Sequence, residues 1–121
     1  MRNEPRENVV LEKSYAFALA GISLAGRLQA LREYVLSRQF VRSATSVGAN
    51  VEEAQAAQTQ PEFHTLMSRA EKEARESHYW LRLVRDSFSE VAADASRLLE
   101  DAQELKRILA AITKSTKKRP S

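Results

Sequence analysis

Residues 91–112 carry apolar side chains at spacings of four and three without interruption, and this pattern constrains the fold more than any other feature of the chain. The positions are Val91, Ala95, Leu98, Ala102, Leu105, Leu109 and Ile112. Because residues three and four apart share one face of an α-helix, the pattern predicts a long amphipathic helix with a continuous buried stripe. Other helices must cover that stripe.

Three further segments repeat with a helical period, and we predict helices over about 8–31, 35–58, 61–88 and 91–112. Two apolar rows of the first helix are expected to be buried; they comprise Leu11, Tyr15, Ala18, Ile22 and Ala25, and Phe17, Leu24, Leu28 and Leu31. The second helix should begin after residue 34, and the third should follow a cap at Thr59 with Pro61 in its first turn. Asn8 is the expected cap of the first helix.

The connections between these segments are short, so neighbouring helices should be antiparallel. The chain has only three glycines and three prolines in 121 residues, too few for the many turns of an all-β domain. We therefore predict an all-α fold, an antiparallel up-down-up-down four-helix bundle. It should occupy residues 1–112 as one domain, followed by a basic, flexible tail over 113–121.

Several classes of function find no support in the sequence. The chain has no cysteine, which excludes thiol nucleophiles and cysteine-ligated metals. Neither His64 nor His78 follows a glutamate by three residues, as the di-iron sites of helical bundles require. We expect no enzymatic activity and no cofactor. No apolar run close to a membrane span and no signal peptide are evident, so we expect no membrane partner and a cytoplasmic location.

The stretch RSATSVGANVEEAQ, residues 42–55, is too small and polar for an ordinary core helix. The polar side chains of this stretch recur at helical spacing and so form a stripe on the second helix. A second stripe of polar and aromatic side chains lies on the third helix, and two roles are possible for these stripes. They could form a polar network that fixes helix register, or a self-association surface anchored by tryptophan. The candidates are Ser43, Asn50, Glu53, Glu73, Arg75, Glu76, Trp80 and Leu83.

Basic residues cluster in three places and are candidates for contacts with nucleic-acid phosphates. They are Arg38, Arg42, Lys106, Arg107, Lys114, Lys117, Lys118 and Arg119. Without the four basic residues of 113–121, 15 basic residues face 16 acidic ones. Because the charges outside the tail nearly balance, the alternative is that these basic residues only keep helix faces and a frayed terminus hydrated and bind no phosphate.

Residues 36–84, LSRQFVRSATSVGANVEEAQAAQTQPEFHTLMSRAEKEARESHYWLRLV, carry a family resemblance. They resemble the four-helix-bundle proteins encoded in intervening sequences of bacterial 23S rRNA genes. The matching features are the entry at Gln39–Ser43, the core of Ser46, Ala49, Asn50 and Glu53, the helix start at Phe63, and Glu73, Glu76, Tyr79 and Trp80. Many relatives have glycine where this chain has Ala54, a departure that concerns helix packing.

The resemblance implies a non-enzymatic bundle that assembles with itself into a homopentamer. The family is similar to the accessory protein of diversity-generating retroelements, a basic pentameric barrel that binds nucleic acid and a reverse transcriptase. The expected function is therefore a homo-oligomer that binds RNA or DNA through phosphate contacts. The alternative is a scaffold that binds a protein partner without nucleic acid.

Overall fold

The structure is a computed structural model that describes the backbone of residues 5–117 and the side chains of residues 9–117. Its helices are α1 (Pro5–Ala30), α2 (Tyr34–Gln55), α3 (Gln60–Ser87) and α4 (Ala92–Thr116), with a short 3₁₀ turn at Ser89–Val91 before α4. The described residues contain no β-strand. The predicted all-α four-helix bundle is confirmed.

Each helix packs against the next one along the chain, and α4 returns to pack against α1. Nowhere in the described backbone do the Cα atoms of α1 and α3 approach within 8 Å, and the same holds for α2 and α4. α1 and α3 therefore occupy opposite corners of the bundle. This arrangement decides which surfaces lie on the same side of the molecule.

The core is built from apolar residues that recur at helical spacing on α2, α3 and α4. The entire α4 row from Val91 to Ile112 is buried. Phe17 of α1 meets Phe40 of α2 edge to face, with ring centroids 6.5 Å apart. Such pairs add about 0.5–1.5 kcal/mol to the stabilisation from buried area. One apolar core thus joins all four helices.

Small side chains bring α1 and α2 close together. A Cβ added at Gly21 would lie 3.0 Å from Cβ of Ala44, and one added at Gly48 would lie 3.4 Å from the carbonyl oxygen of Ser14. The buried hydroxyl of Ser37 donates a hydrogen bond to the carbonyl of Ala25 across the same seam, at 3.0 Å. The small residues between positions 42 and 55 therefore serve close helix packing within the monomer.

The prediction that both apolar rows of α1 are buried is wrong for part of one row, in which Ala25 is buried but the two largest side chains are not. Tyr15 and Ile22 are exposed, whereas Phe17, Leu24 and Leu28 are in the core. α1 packs against only α2 and α4, so the outer half of its circumference has no neighbour. When both sides of a helix are apolar, the sequence does not show which side faces the core.

α1 is also the one helix of the described chain that could cross a membrane by length and composition, over Val9–Ala30. The expectation of no such run is therefore corrected. A third of this stretch is buried inside the bundle, and a core helix passes the same test. α1 has this composition because both its outer face and its inner face are apolar.

Three helix ends differ from the expected positions. α1 begins at Pro5 rather than near Asn8, with proline in the first turn, where its missing N–H is not needed. α2 ends at Gln55, because the chain must leave the helix before the cap at Thr59. The predicted cap is confirmed: Thr59 accepts a hydrogen bond from the backbone N–H of Glu62 at 3.1 Å.

α4 continues to Thr116, four residues past the expected end of the domain. The hydroxyl of Thr113 donates to Glu71 of α3 at 2.9 Å, so this last turn is tied to the bundle. Lys114 therefore lies on a helix rather than in the tail. Lys118 and Arg119 lie outside the described residues.

Candidate nucleic-acid interface

A groove of about 470 Å³ runs between the outer edges of α3 and α4. His78 and Arg85 stand two turns apart on α3, so both point to the same side of that helix. The α4 wall repeats at helical spacing and consists of Ser96, Leu99, Glu100, Gln103 and Arg107. The groove is thus open, mostly polar and lined by cationic groups from both helices.

Positive charge surrounds the imidazole of His78. Partial burial lowers the pKa of His78, and the nearby charges of Lys106, Arg82 and Arg85 lower it further. A histidine beside several cations resists taking up a proton. Burial contributes most to the lowered pKa of His78, and the charges of the three cations add to it in the same direction. An anion bound in the groove would offset the effect of those charges.

The charges of the groove are only partly compensated within the chain. Arg85 pairs with its neighbour Asp86, with Nε 2.7 Å from Oδ1. Within the described part of the chain, Lys106 and Arg107 form no ion pair. Glu100 is the carboxylate that lines the groove itself. Free ammonium and guanidinium groups on an open surface are what phosphate recognition requires.

Of the predicted basic candidates, Arg107 lines this groove, and the charge of Lys106 acts on its histidine. Lys114 lies two turns beyond Arg107 on the same helix. Lys117 is exposed at the end of the described chain. Arg38 is exposed on α2, and α2 and α4 occupy opposite corners of the bundle. The basic residues therefore do not form a single surface.

Arg42 is engaged inside the monomer. Its guanidinium hydrogen-bonds Glu76 and pairs with Glu73, whose Oε1 lies 3.3 Å from Nη1. The indole N–H of Trp80 donates to the same Glu76 carboxylate at 3.1 Å. Arg42 therefore joins α2 to α3 and does not present a free charge beside Arg38.

The remaining members of the predicted polar stripes divide between core and surface. Ser43 is buried and accepts a hydrogen bond from Ser77, whereas the amide of Asn50 donates to the carbonyl of Ser46 in its own helix. Arg75 pairs with Glu71 one turn away. Glu53 is exposed and Leu83 is half-buried. The stripe at Ser43, Glu73, Glu76 and Trp80 thus forms contacts within the monomer.

His78, Arg82 and Arg85 were not among the predicted phosphate-binding residues. Their spacing of four and three on α3 places them on one side of the helix, which is the signal that the sequence offered. To predict that these residues lie near Lys106 and Arg107, one would also need to know how α3 and α4 are rotated against each other.

His64 lies between two hydroxyl groups. Its Nδ1 is 2.9 Å from Oγ1 of Thr116, and its Nε2 is 3.4 Å from Oγ of Ser68. A serine beside a histidine is one part of a nucleophilic site. Here both residues stand inside α3, whose backbone N–H groups are already used by the helix and cannot stabilise an oxyanion. The contacts instead fasten the end of α4 to α3.

No group of three or more metal-ligating side chains occurs among the described residues. The same part of the chain contains no cysteine, and its two histidines lie 14 positions apart on α3, roughly 21 Å along the helix. The groove between α3 and α4 is therefore a candidate nucleic-acid interface because of its charge alone.

The chain was compared with known proteins. The profile of the 23S rRNA-intervening sequence protein family matches residues 6–111. A crystal structure of a protein of unknown function from the S23 ribosomal protein family of Bacteroides thetaiotaomicron VPI-5482 is similar, with a TM-score of 0.85 and 35% identity. The match covers 90% of this chain and 98% of that one. No curated protein matches. This chain belongs to the 23S rRNA-intervening sequence protein family.

Proposed function

We propose that this chain is a non-enzymatic, cytoplasmic homo-oligomer that binds RNA or DNA through phosphate contacts at the groove between α3 and α4. The observation that carries the proposal is that Arg85 of α3 and Arg107 of α4 line one groove with His78. The charges of Lys106 and Arg82 act on the same imidazole. The alternative from the sequence, a scaffold without nucleic acid, is an outcome of the test below.

The length of the basic surface supports a polymer as the ligand rather than a single small anion. Arg107 and Lys114 are seven residues apart on α4, which is about 10 Å along the helix. Ser96 and Arg107 at the two ends of the groove are separated by about 16 Å. A nucleic-acid backbone places several phosphates within such a distance.

The surface offers charge but few groups that read bases. Arginine and lysine contact phosphates regardless of sequence, and sequence is read by contacts to base edges. Tyr79 is the exposed aromatic residue of α3, and its ring already lies beneath the guanidinium of Arg82, 5.6 Å from the ring centroid. Binding should therefore depend strongly on salt and little on sequence.

Self-assembly would strengthen the positive electrostatic field of the groove. The family resemblance implies a pentameric ring, in which every groove is repeated around one axis. The described body of the chain carries nearly balanced charge, so a single copy would attract a polyanion weakly. Five aligned grooves would act together on one strand, because linked sites raise the effective concentration for each other.

The test is fluorescence anisotropy with short single-stranded RNA and DNA over a range of salt concentrations. The double variant Lys106→Glu/Arg107→Glu should weaken binding at least about tenfold and reduce the slope of log affinity against log salt by about 2. Arg97→Glu is the matched control, because Arg97 is an exposed residue of the same helix that lines a groove with α1 instead.

Two results would contradict the proposal. One is a wild-type chain that retains no RNA or DNA in low salt, which would leave the scaffold as the better description. The other is an equal loss of binding in the double variant and in Arg97→Glu, which would place the contacts elsewhere.

A further inference from the structure

The outer face of α1 is apolar although nothing in the monomer covers it. Tyr15, Leu19 and Ile22 are 62%, 54% and 53% exposed. Residues 14–26 contain no charged side chain, so the face lacks the polar groups that normally solvate an outer helix surface. Contiguous exposed apolar surface of this kind marks an interaction site.

Gly26 lies on this face and has no packing role within the monomer. A Cβ added there would meet nothing within 4 Å, in contrast to Gly21, where the Cβ would meet Ala44 at 3.0 Å. Glycine inside a helix is less favourable than alanine by about 0.5–1 kcal/mol. An exposed glycine in an apolar helix face is what the close approach of a second helix requires.

The border of this face towards α4 carries charges of both signs and one carboxylate, Asp101, that forms no ion pair with the described residues. Asp101 and Glu104 line a groove with Ala16 and Ala20 of α1. Partial burial raises the pKa of Asp101, and the neighbouring charge of Glu104 raises it further. Lys13 pairs with Glu104 at 3.3 Å, whereas Asp101 has no ion-pair partner in the described part of the chain. A basic group from outside would relieve this repulsion.

The opposite corner of the bundle has the complementary character. On α3, Arg69, Lys72, Tyr79 and Leu83 follow one another at spacings of three, seven and four, so they share one face. Tyr79 is 47% exposed. Arg69 and Lys72 form no ion pair with any described residue. Glu76 lies on the same face, but its carboxylate is already bound by Arg42 and Trp80. The face thus presents an aromatic ring beside two cations that form no ion pair.

We propose that the outer face of α1 binds the outer face of α3 on a second copy of the chain, head to tail. The inference rests on the homo-oligomer of the proposed function and names its two contact surfaces. Because α1 and α3 lie at opposite corners, each copy has one surface of each kind. Such heterologous contacts close into a ring when the rotation between copies permits.

Charge and size favour a second copy over other occupants of the α1 face. An uncharged surface does not attract nucleic acid. The stretch from Tyr15 to Ala30 is about 22 Å long and roughly 10 Å wide, well below the ~800 Å² per partner of a standard interface. The contact must therefore extend to the border on α4, where the carboxylate of Asp101 suits the basic α3 face. The groove of His78, Arg85 and Arg107 lies on the α4 side of α3 and is left open.

The first experiment measures mass by light scattering after size exclusion. The wild-type chain should be an oligomer, and Leu19→Glu/Ile22→Glu should be a monomer with unchanged helical circular dichroism. Ala49→Glu is the matched control, because Ala49 is an exposed residue of α2 outside both faces and should leave the mass unchanged. All three substituted positions are solvent-exposed, so the variants should fold.

The second experiment uses the absence of natural cysteines. Leu19→Cys and Tyr79→Cys chains, mixed and oxidised, should form a disulfide-linked pair of the two different chains. Leu19→Cys alone should not link to itself.

Each contrary outcome has a separate meaning. An oligomeric Leu19→Glu/Ile22→Glu chain, or self-linked Leu19→Cys, would overturn these contact surfaces and leave the proposed homo-oligomer standing. A monomeric wild-type chain would overturn both. A wild-type chain that floats with phosphatidylcholine vesicles while Leu19→Glu/Ile22→Glu does not would assign the α1 face to lipid and overturn this inference.

Discussion

The hydroxyl of Ser77 donates a hydrogen bond of 2.9 Å to the hydroxyl of Ser43, and both side chains are fully buried between α3 and α2. The hydroxyl of Ser43 in turn donates a hydrogen bond to the carbonyl of Phe40 at 3.0 Å. Two polar groups therefore satisfy each other in the centre of an apolar core. The relative register of α2 and α3 is fixed at the point where they meet.

The first prediction concerns this pair. Ser77→Ala should lower the free energy of unfolding by about 0.5–1.5 kcal/mol, because Ser43 keeps its carbonyl acceptor. Ser43→Ala should lower it more, by about 1–3 kcal/mol, because it leaves the buried Ser77 hydroxyl without its acceptor. In urea denaturation the double variant should lose less than the sum of the two single losses. Additive losses would show that the two hydroxyls do not depend on each other.

The second prediction compares two glycines of the same helix. Gly21→Ala should destabilise the chain by about 1–3 kcal/mol, because the new Cβ presses against Ala44 in a packed seam. Gly26→Ala should stabilise the monomer by about 0.5–1 kcal/mol, because the Cβ enters open space and improves helix propensity. Both are measured in the Leu19→Glu/Ile22→Glu background, so that assembly does not contribute. Equal effects at the two positions would contradict the packing described for α1.

The orientation of α1 shows where sequence reasoning reaches its limit. α4 alternates apolar and polar residues cleanly, so its period alone identified the buried row. α1 is apolar on both sides, so a periodic pattern predicts a helix but not which side faces the core. The cap at Thr59 was predictable because one local hydrogen bond defines it.

The basic sites show a second limit. Arg38 and Arg42 are one turn apart, and the sequence predicted that one face presents both. Whether a guanidinium is free depends on carboxylates that another helix brings near, and Glu73 and Glu76 reach Arg42 from α3. The groove at His78 likewise depends on how α3 and α4 are rotated. Rotation and register follow from packing, which a single sequence does not specify.

The third prediction concerns acid. Burial raises the pKa of Glu76, but the hydrogen bonds from Trp80 and Arg42 and the charges of Arg42 and Lys72 outweigh it, so the pKa is below its ordinary value. A lowered carboxyl pKa stabilises the fold above the unfolded pKa of about 4.3, and this contribution is lost as the pH falls through the folded value. Glu76→Gln should therefore be less stable than the wild type at neutral pH, and the difference should disappear as the pH falls below the folded pKa of Glu76.

Thermal unfolding at several pH values checks this expectation. Glu53→Gln is the control for the loss of one negative charge, because Glu53 is exposed on the neighbouring helix. A stability difference for Glu76→Gln that persists unchanged into acid would mean that its network does not depend on ionisation.

The fourth prediction links pH to nucleic-acid binding. Burial and the charges of Lys106, Arg82 and Arg85 lower the pKa of His78 in the free protein. A bound polyanion would neutralise those cations, so the pKa should rise on binding and a proton should be taken up. Affinity should then increase as the pH falls from about 8 to about 6, where histidine titrates.

Anisotropy titrations of the wild type and His78→Gln would measure this effect. The variant should show a weaker pH dependence while it still binds, since the cations remain. Glu100, the acidic residue that lines the groove, is present in both chains and should affect both alike. Identical pH profiles would place the bound strand away from His78.

The ion pair between Lys13 and Glu104, with a second between Arg27 and Asp94, shows that α1 and α4 run antiparallel along their length. The first turn of α1 and the last turn of α4 therefore lie at the same end of the bundle. A short linker could join them, and a new terminus could be opened at 31–33, where Arg32 holds a φ of 63°. Such a circularly permuted chain should fold to the same four-helix packing, because the order of the helices along the chain is separable from their arrangement in space.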